Sequence, residues 1–310
     1  MNNTPEIKSP SSICANCGKE GSDVTNSCNK CKMVKYCNAS CKKKHRHKHK
    51  IECEQRVAEL HDEKLFKQPP TLDDCPICFL RLPLLNSGRV YMSCCGKILC
   101  RGCTHAFQSR AYEAGREKED NICPFCRARP PNSNEEKIKQ YRKRSELNDT
   151  QAIGNLGCLY SQGQGIRQNH AKALELFHRA ANLGYAEAYS SIGHAYQNGD
   201  GVAVDEKKAR HYWELAAMGG STEARYNLGI FEGESGNYDQ ALKHWMIAVK
   251  DGDSDSVQNI KILYSNGLTS KDEYAKALRS YQAYVDEIKS DQRDEAAAYS
   301  EEYKYYESDF

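Results

Sequence analysis

Apolar and polar positions follow two different rules in the two halves of the chain. From residue 150 onward they repeat. Leu156, Ile192, Leu228 and Ile260 recur at steps of 36, 36 and 32 residues, and Ala173, Ala209, Ala241 and Ala277 at steps of 36, 32 and 36. An aromatic residue follows four positions after each alanine: Phe177, Trp213, Trp245 and Tyr281. Self-similarity at this period predicts one helix pair per unit, with about four units over 150–285. The first helix of a unit reads like "AIGNLGCLYSQG" and the second like "HAKALELFHRAANLG". Gly157, Gly193 and Gly229 mark close helix crossings, and Gly184, Gly219 and Gly252 are placed to end the second helices. In the third unit "ESGNYDQA" shortens the loop between helices, and in the fourth Lys261 replaces the glycine. The aromatic ladder reads as core, because stacked units need large apolar side chains at fixed positions.

Before residue 127 no such period exists. The organising residue there is cysteine: fifteen of the sixteen lie in that stretch, mostly in short-spaced pairs, and only Cys158 lies beyond. Cys158 occupies the place of His194 and Ile230 in later units and reads as a partly buried, inert thiol. Cys-x-x-Cys pairs suit a tetrahedral zinc ion, on which two thiolates from one tight turn converge. The fold class expected is therefore multidomain: two small zinc-stabilised α+β modules followed by an all-α repeat solenoid.

The first module runs from 14 to 53. Its pairs are Cys14/Cys17, Cys28/Cys31, Cys37/Cys41 and His49/Cys53, eight ligands for two closed structural sites. The last two pairs have i, i+4 spacing, which predicts short helices. This arrangement, with Tyr36 before Cys37, resembles the MYND zinc finger. The resemblance implies interleaved sites: Cys14, Cys17, Cys37 and Cys41 on one zinc, and Cys28, Cys31, His49 and Cys53 on a second. His45 and His47 have the wrong spacing and read as solvent-exposed. The family commonly binds proline-rich peptides, but here Arg46 stands for its usual tryptophan and Lys42 for its usual glutamine. Both departures argue against ordinary peptide binding.

The second module runs from 75 to 127. Cys75-Pro-Ile-Cys78, the stretch "CCGKILCRGC" over 94–103, and Cys123-Pro-Phe-Cys126 resemble a RING finger. The resemblance implies Cys75, Cys78, Cys100 and Cys103 on a third zinc, and Cys123 and Cys126 on a fourth. Three arrangements compete for the remaining ligands of the fourth: Cys94 with Cys95, one of them with His105, or a degenerate weak site. A Cys94–Cys95 disulfide is a further option. The all-cysteine arrangement is the expectation, with Gly96 bending the chain so that adjacent side chains converge. Lys97 then stands as a counter-charge. RING fingers that act as ubiquitin ligases hold a ubiquitin-conjugating enzyme and orient its cargo, which is catalysis by positioning. The positions that match this use are Ile77, Pro124 and Arg127. No covalent catalytic residue is expected.

Composition narrows these readings. The 310 residues carry 28% charged side chains and a formal charge of +2, with a strongly negative mean hydropathy. The start is polar and no apolar run approaches ~20 residues, so an intracellular, reducing address is expected, cytoplasmic or nuclear. Lysine and arginine crowd residues 30–50. Within the run "KKKHRHKHK" over 42–50 no aromatic stacking platform is interleaved, which argues for a solvated face and against nucleic acid as a partner. No nucleotide-binding glycine loop, metalloprotease helix or nucleophile triad is legible, and no SET-like domain flanks the finger. The expected segmentation is a disordered 1–13, finger 14–53, linker 54–74, finger 75–127, linker 128–149, repeats 150–285 and a C-terminal helix or tail 286–310. The expected function is a zinc protein that recruits a protein client through its repeats and acts as a RING-type ubiquitin ligase. A non-catalytic adaptor is the alternative.

Overall fold

The computed structural model describes residues 13–69, 73–113 and 122–307, with the side chains of 110–113 left aside. The expected disordered N-terminus lies outside the described residues except for Ile13. The chain forms two compact units, 1–67 and 68–310.

The first unit is built around metal-ligand loops. Strands β1 (Asn26–Ser27) and β2 (Lys35–Tyr36) pair antiparallel. Helices α1 (Ala39–His45) and α2 (Lys50–Leu65) follow. Asn38 caps α1 by accepting from Cys41 N at 2.8 Å. Cys37 and His49 thus lie just outside a helix start, with Cys41 and Cys53 one turn inside. Apart from cysteines, the cluster around the ligand loops is Val24 and Tyr36, with Val34 at its edge, and Leu65 at the end of α2 is buried separately. That is too little apolar surface to hold a fold by itself.

In the second unit a hairpin of β3 (Arg89–Met92) and β4 (Lys97–Cys100) leads into α3 (Arg101–Glu113). Helix α4 (Asn134–Glu146) then opens the helical stack. The pairs are α5 (Thr150–Gln162) with α6 (His170–Asn182), α7 (Ala186–Asn198) with α8 (Glu206–Met218), α9 (Thr222–Glu234) with α10 (Tyr238–Lys250), and α11 (Ser254–Ser265) with α12 (Lys271–Ile288). A last helix, α13 (Asp291–Tyr299), returns to pack on α3. Among the described residues, no helix is long and apolar enough to cross a membrane.

The repeat period has a steric cause. A Cβ at Gly157 would lie 2.6 Å from Phe177 Cε1, at Gly193 2.4 Å from Trp213 Nε1, and at Gly229 2.2 Å from Trp245 Nε1. The glycine column therefore makes room for the aromatic ladder of its own unit, rather than for a neighbouring backbone. All four ladder residues are buried. One expectation shifts by a residue. Gly184 and Gly252 take left-handed backbone after their helices, but in the second unit that residue is Gly220, while Gly219 stays right-handed as the cap itself.

The cysteine-rich segment of the second unit is built onto the repeats. Arg81 donates to Asp251 at 2.7 Å and to Glu287 at 3.1 Å. Leu84 N donates to the Tyr284 hydroxyl at 2.7 Å, and Tyr91 donates to Asp149 at 2.9 Å. Gly88 lies against Tyr305, whose side chain is buried.

Candidate metal centres

Four donor clusters form among the described residues, with the ligand atoms of each within 4.8 Å of one another. They are Cys14, Cys17, Cys37, Cys41; Cys28, Cys31, His49, Cys53; Cys75, Cys78, Cys100, Cys103; and Cys94, Cys95, Cys123, Cys126. Within 14–53 and again within 75–126 the pairs alternate, first with third and second with fourth. This cross-bracing ties loops that are distant in sequence.

The geometry can be tested against zinc. A tetrahedral ion with Zn–S of about 2.3 Å sets ligand sulfurs about 3.8 Å apart. The Sγ–Sγ separations are 3.7 Å for Cys17–Cys37, Cys37–Cys41 and Cys28–Cys53, and 3.8 Å for Cys78–Cys100. They are 3.9 Å for Cys95–Cys123 and 3.5 Å for Cys94–Cys126. A disulfide needs about 2.05 Å, and every cysteine is free. His49 Nε2 stands 3.1 Å from Cys31 Sγ, and the Glu52 carboxylate lies 3.7 Å from its other ring nitrogen.

Electrostatics give the same answer. Cys37 is pushed up to about 12 by burial and by the thiols of Cys14, Cys41 and Cys17. Burial also raises Cys14, but backbone N–H groups of Cys37, Cys17 and Asn16 outweigh it and bring that thiol down to about 6. Cys53 rises to about 11 through burial and the neighbouring thiols of Cys28 and Cys31. Four thiols in this space obstruct one another's ionisation, and a divalent cation at the centre removes the conflict. The donor sets fit zinc, and support about four structural ions.

Cys94 and Cys95 converge because Gly96 turns the chain with φ +74°. The N–H groups of Cys95 and Gly96 both reach Met92 O, at 3.1 and 2.7 Å. A Cβ at Gly96 would lie 2.1 Å from the Arg144 guanidinium, so this turn is also pressed onto the junction of α4 and α5. His105 is elsewhere, 5.0 Å from the Tyr299 ring. The Lys97 ammonium lies 5.5 Å over the ring of Phe125, which stands between the ligands Cys123 and Cys126, and its backbone N–H partly offsets the rise that burial gives the Cys95 thiol.

Other candidate residues fall as follows. Ile77 and Phe125 are half-exposed, Phe79 is 77% exposed and Pro124 is half-buried. Arg127 takes left-handed backbone with φ +63°, and its guanidinium lies 5.2 Å over the Phe107 ring. Phe107 was not singled out from the sequence, since a lone aromatic in a polar helix carries no periodic signal. Lys42 donates to Ser27 O at 2.9 Å and Asn29 Oδ1 at 2.7 Å, so it braces the Cys28 loop. His45 is not a simple exposed histidine. Its Nδ1 meets the Tyr36 hydroxyl at 3.3 Å, and its ring stacks on His49 at 5.9 Å. His47 is exposed.

On the repeats, Cys158, His170, His194 and Phe177 line a cavity of about 160 Å³. Cys158 is open to solvent there, and the surrounding protein followed by the Glu223 charge raises its thiol, which keeps it unreactive. His194 contacts Glu223 at 3.1 Å, which holds its imidazolium above the ordinary range.

The fold and clusters define a zinc-finger protein with helical interaction repeats. Comparison with known families makes this specific. Residues 14–53 match the MYND finger, and residues 150–185, 186–221 and 222–253 each match the Sel1 repeat. No curated protein matches the chain. Among solved structures it is similar to a Sel1 repeat protein from Oxalobacter formigenes, with 24% identity over 59% of this chain and 71% of that one, at a TM-score of 0.45. It is also similar to cysteine rich protein B of Helicobacter pylori, with 26% identity over 30% and 69%, at a TM-score of 0.29. A third is c5321, a protective antigen of uropathogenic Escherichia coli with an SLR fold, with 22% identity over 64% and 49%, at a TM-score of 0.33. The chain thus carries a MYND finger and three Sel1 repeats, with α11 and α12 continuing the stack as a fourth pair. Sel1 repeats generally mediate protein–protein interaction.

Proposed function

We propose that the protein is a RING-type ubiquitin ligase of the reducing intracellular compartments. In this reading the four donor sets above each hold one zinc ion. The repeats hold a protein client, and the module over 75–127 positions a ubiquitin-conjugating enzyme. The observation that carries the reading is the cross-braced pairing of Cys75/Cys78 with Cys100/Cys103 and of Cys94/Cys95 with Cys123/Cys126. Beside those loops, Ile77 and Phe125 keep apolar surface free. Exposed apolar groups around a rigid metal loop suit a transient protein contact. Arg127 stands next to Cys126 with five N–H donors that can bridge two partners. Its hold on Phe107 is a surface cation–π contact of about 0.5–1 kcal/mol, weak enough to exchange for a partner's carbonyls.

A second reading has its own support. The module is anchored to the repeats by Arg81 and by Leu84 N, as a structural brace would be. A non-catalytic adaptor would need no more. Autoubiquitination with a broad panel of conjugating enzymes separates the two. The ligase reading expects activity with at least one member. Ile77→Ala should reduce it about 30-fold or more, as loss of an interface anchor does, and Arg127→Ala should weaken it with zinc content unchanged. No activity with any member leaves the adaptor.

A further inference from the structure

We propose that the zinc centre of Cys75, Cys78, Cys100 and Cys103 is completed by Arg293 of α13, which serves as the buried counter-charge of the zinc–thiolate cluster. This rests on zinc occupying the cluster and not on ligase activity.

Four thiolates around Zn²⁺ carry a formal charge of about −2. Cys75, Cys100 and Cys103 are 0, 1 and 4% exposed and Cys78 is half-buried, so water screens little of that charge. A buried charge without compensation costs several kcal/mol. Of the arginines near the ligands in sequence, Arg101 has its guanidinium 5.1 Å over the Tyr303 ring and Arg81 is committed to Asp251 and Glu287. Arg293 is 1% exposed and makes no ion pair with a carboxylate among the described residues. It donates to Ile288 O at 2.6 Å and to Leu80 O at 3.4 Å, and reaches Cys78 Sγ at 3.8 Å. The carbonyls take N–H groups of its two terminal nitrogens, its Nε is buried without a hydrogen-bond partner, and no carbonyl answers its charge. The thiolate cluster answers it, so each buried charge accounts for the other.

The fold builds this contact deliberately. A Cβ at Gly102, beside Cys103, would lie 2.8 Å from the Arg293 backbone nitrogen, so α3 and α13 meet in near-contact there. The Gln292 amide lies 3.7 Å from Cys103 Sγ. Tyr305 holds the chain after α13 through its hydroxyl on Asp294 and its ring against Gly88. The fourth cluster is unlike this. Cys126 is exposed there, Lys97 is exposed, and solvent supplies the compensation. Occupancy of the third site and docking of α13 are therefore one linked equilibrium.

The test uses the full chain. Cysteines are mapped by mass spectrometry after N-ethylmaleimide labelling under a fixed EDTA challenge, with zinc counted beforehand in the native protein. Loss of an outer-shell partner typically costs about 10–100-fold in metal affinity. Arg293→Gln should expose Cys75, Cys78, Cys100 and Cys103 to labelling about 10–100-fold faster and leave the other three clusters near wild type. Arg293→Lys should restore most of the protection. Tyr305→Ala, which loosens the same strap without removing the charge, should accelerate labelling of the third cluster clearly less than Arg293→Gln does. Unchanged labelling in Arg293→Gln overturns the proposal, as does equal acceleration in Tyr305→Ala. Should Arg293→Gln fail to fold, a folded Arg293→Lys decides alone: protection supports the counter-charge, and its loss overturns it. Three ions in the wild-type protein, with the third cluster labelled at once, would instead defeat the zinc reading beneath it.

Discussion

Chelation of the full chain is expected to unfold residues 13–67 outright while the repeats keep their helical signal. The magnitudes decide this. A structural zinc site contributes about 10–16 kcal/mol of binding free energy that is also folding free energy. Full burial of one large apolar side chain contributes about 1.5–3 kcal/mol. Among the described residues of the first unit, the buried non-cysteine apolar side chains are Val24 and Tyr36 around the ligand loops and Leu65 at the end of α2. Three side chains of that size do not offset the backbone entropy of some fifty residues at about 1–2 kcal/mol each. The repeats stand differently. One apolar cluster joins Ile138, Ile153 and Phe177, and another joins Trp245, Ile260 and Tyr281, with no metal ligand in either. Hydrogen exchange on the chelated protein should show full exchange over 13–67 and lasting protection in α5–α10. Protection retained over 13–67 after complete zinc removal would contradict the account.

Arg81→Ala is expected to cost about 3–5 kcal/mol, because it leaves a buried carboxylate without its partner. Arg81 and Asp251 are each 8% exposed, and their contact is 2.7 Å. Burial lifts the Asp251 carboxyl above its ordinary range, and Arg81 is the group that opposes this most. Removal of the arginine turns an answered charge into an unanswered one. Glu287, 54% exposed, can rely on water. The double change Arg81→Met with Asp251→Leu should be much milder than the single one, since it removes both charges. Denaturant unfolding of the three proteins checks this. A single variant that loses less than about 1 kcal/mol would mean that the pair does not anchor the cysteine-rich segment to the repeats.

What the sequence disclosed was what repeats or pairs. The glycine and aromatic columns show because every unit must solve the same packing problem at the same place. The cysteine pairs show because one tight turn must offer two ligands to one ion. Contacts made once, between single residues far apart, leave no such trace. Arg81 with Asp251, Arg293 with Cys78, and Tyr281 with the backbone of Glu307 are of this kind. For the same reason "DEAAAYSEEYKYYESDF" offered no role, although Ala296 and Tyr305 are buried and α13 covers a metal cluster. Helix α4 has a very polar sequence and buries only Ile138, Tyr141 and Ser145, too few positions to announce an element. At Lys42 and His45 charge masked structure. Both sit within a basic run, yet one ties a loop and the other stacks on a ligand histidine.

The measurement that bears most directly on all of this is the mass of the intact, natively folded chain. The account predicts four bound zinc ions and their stepwise loss with acid or chelator. A folded chain that carries no zinc would contradict it.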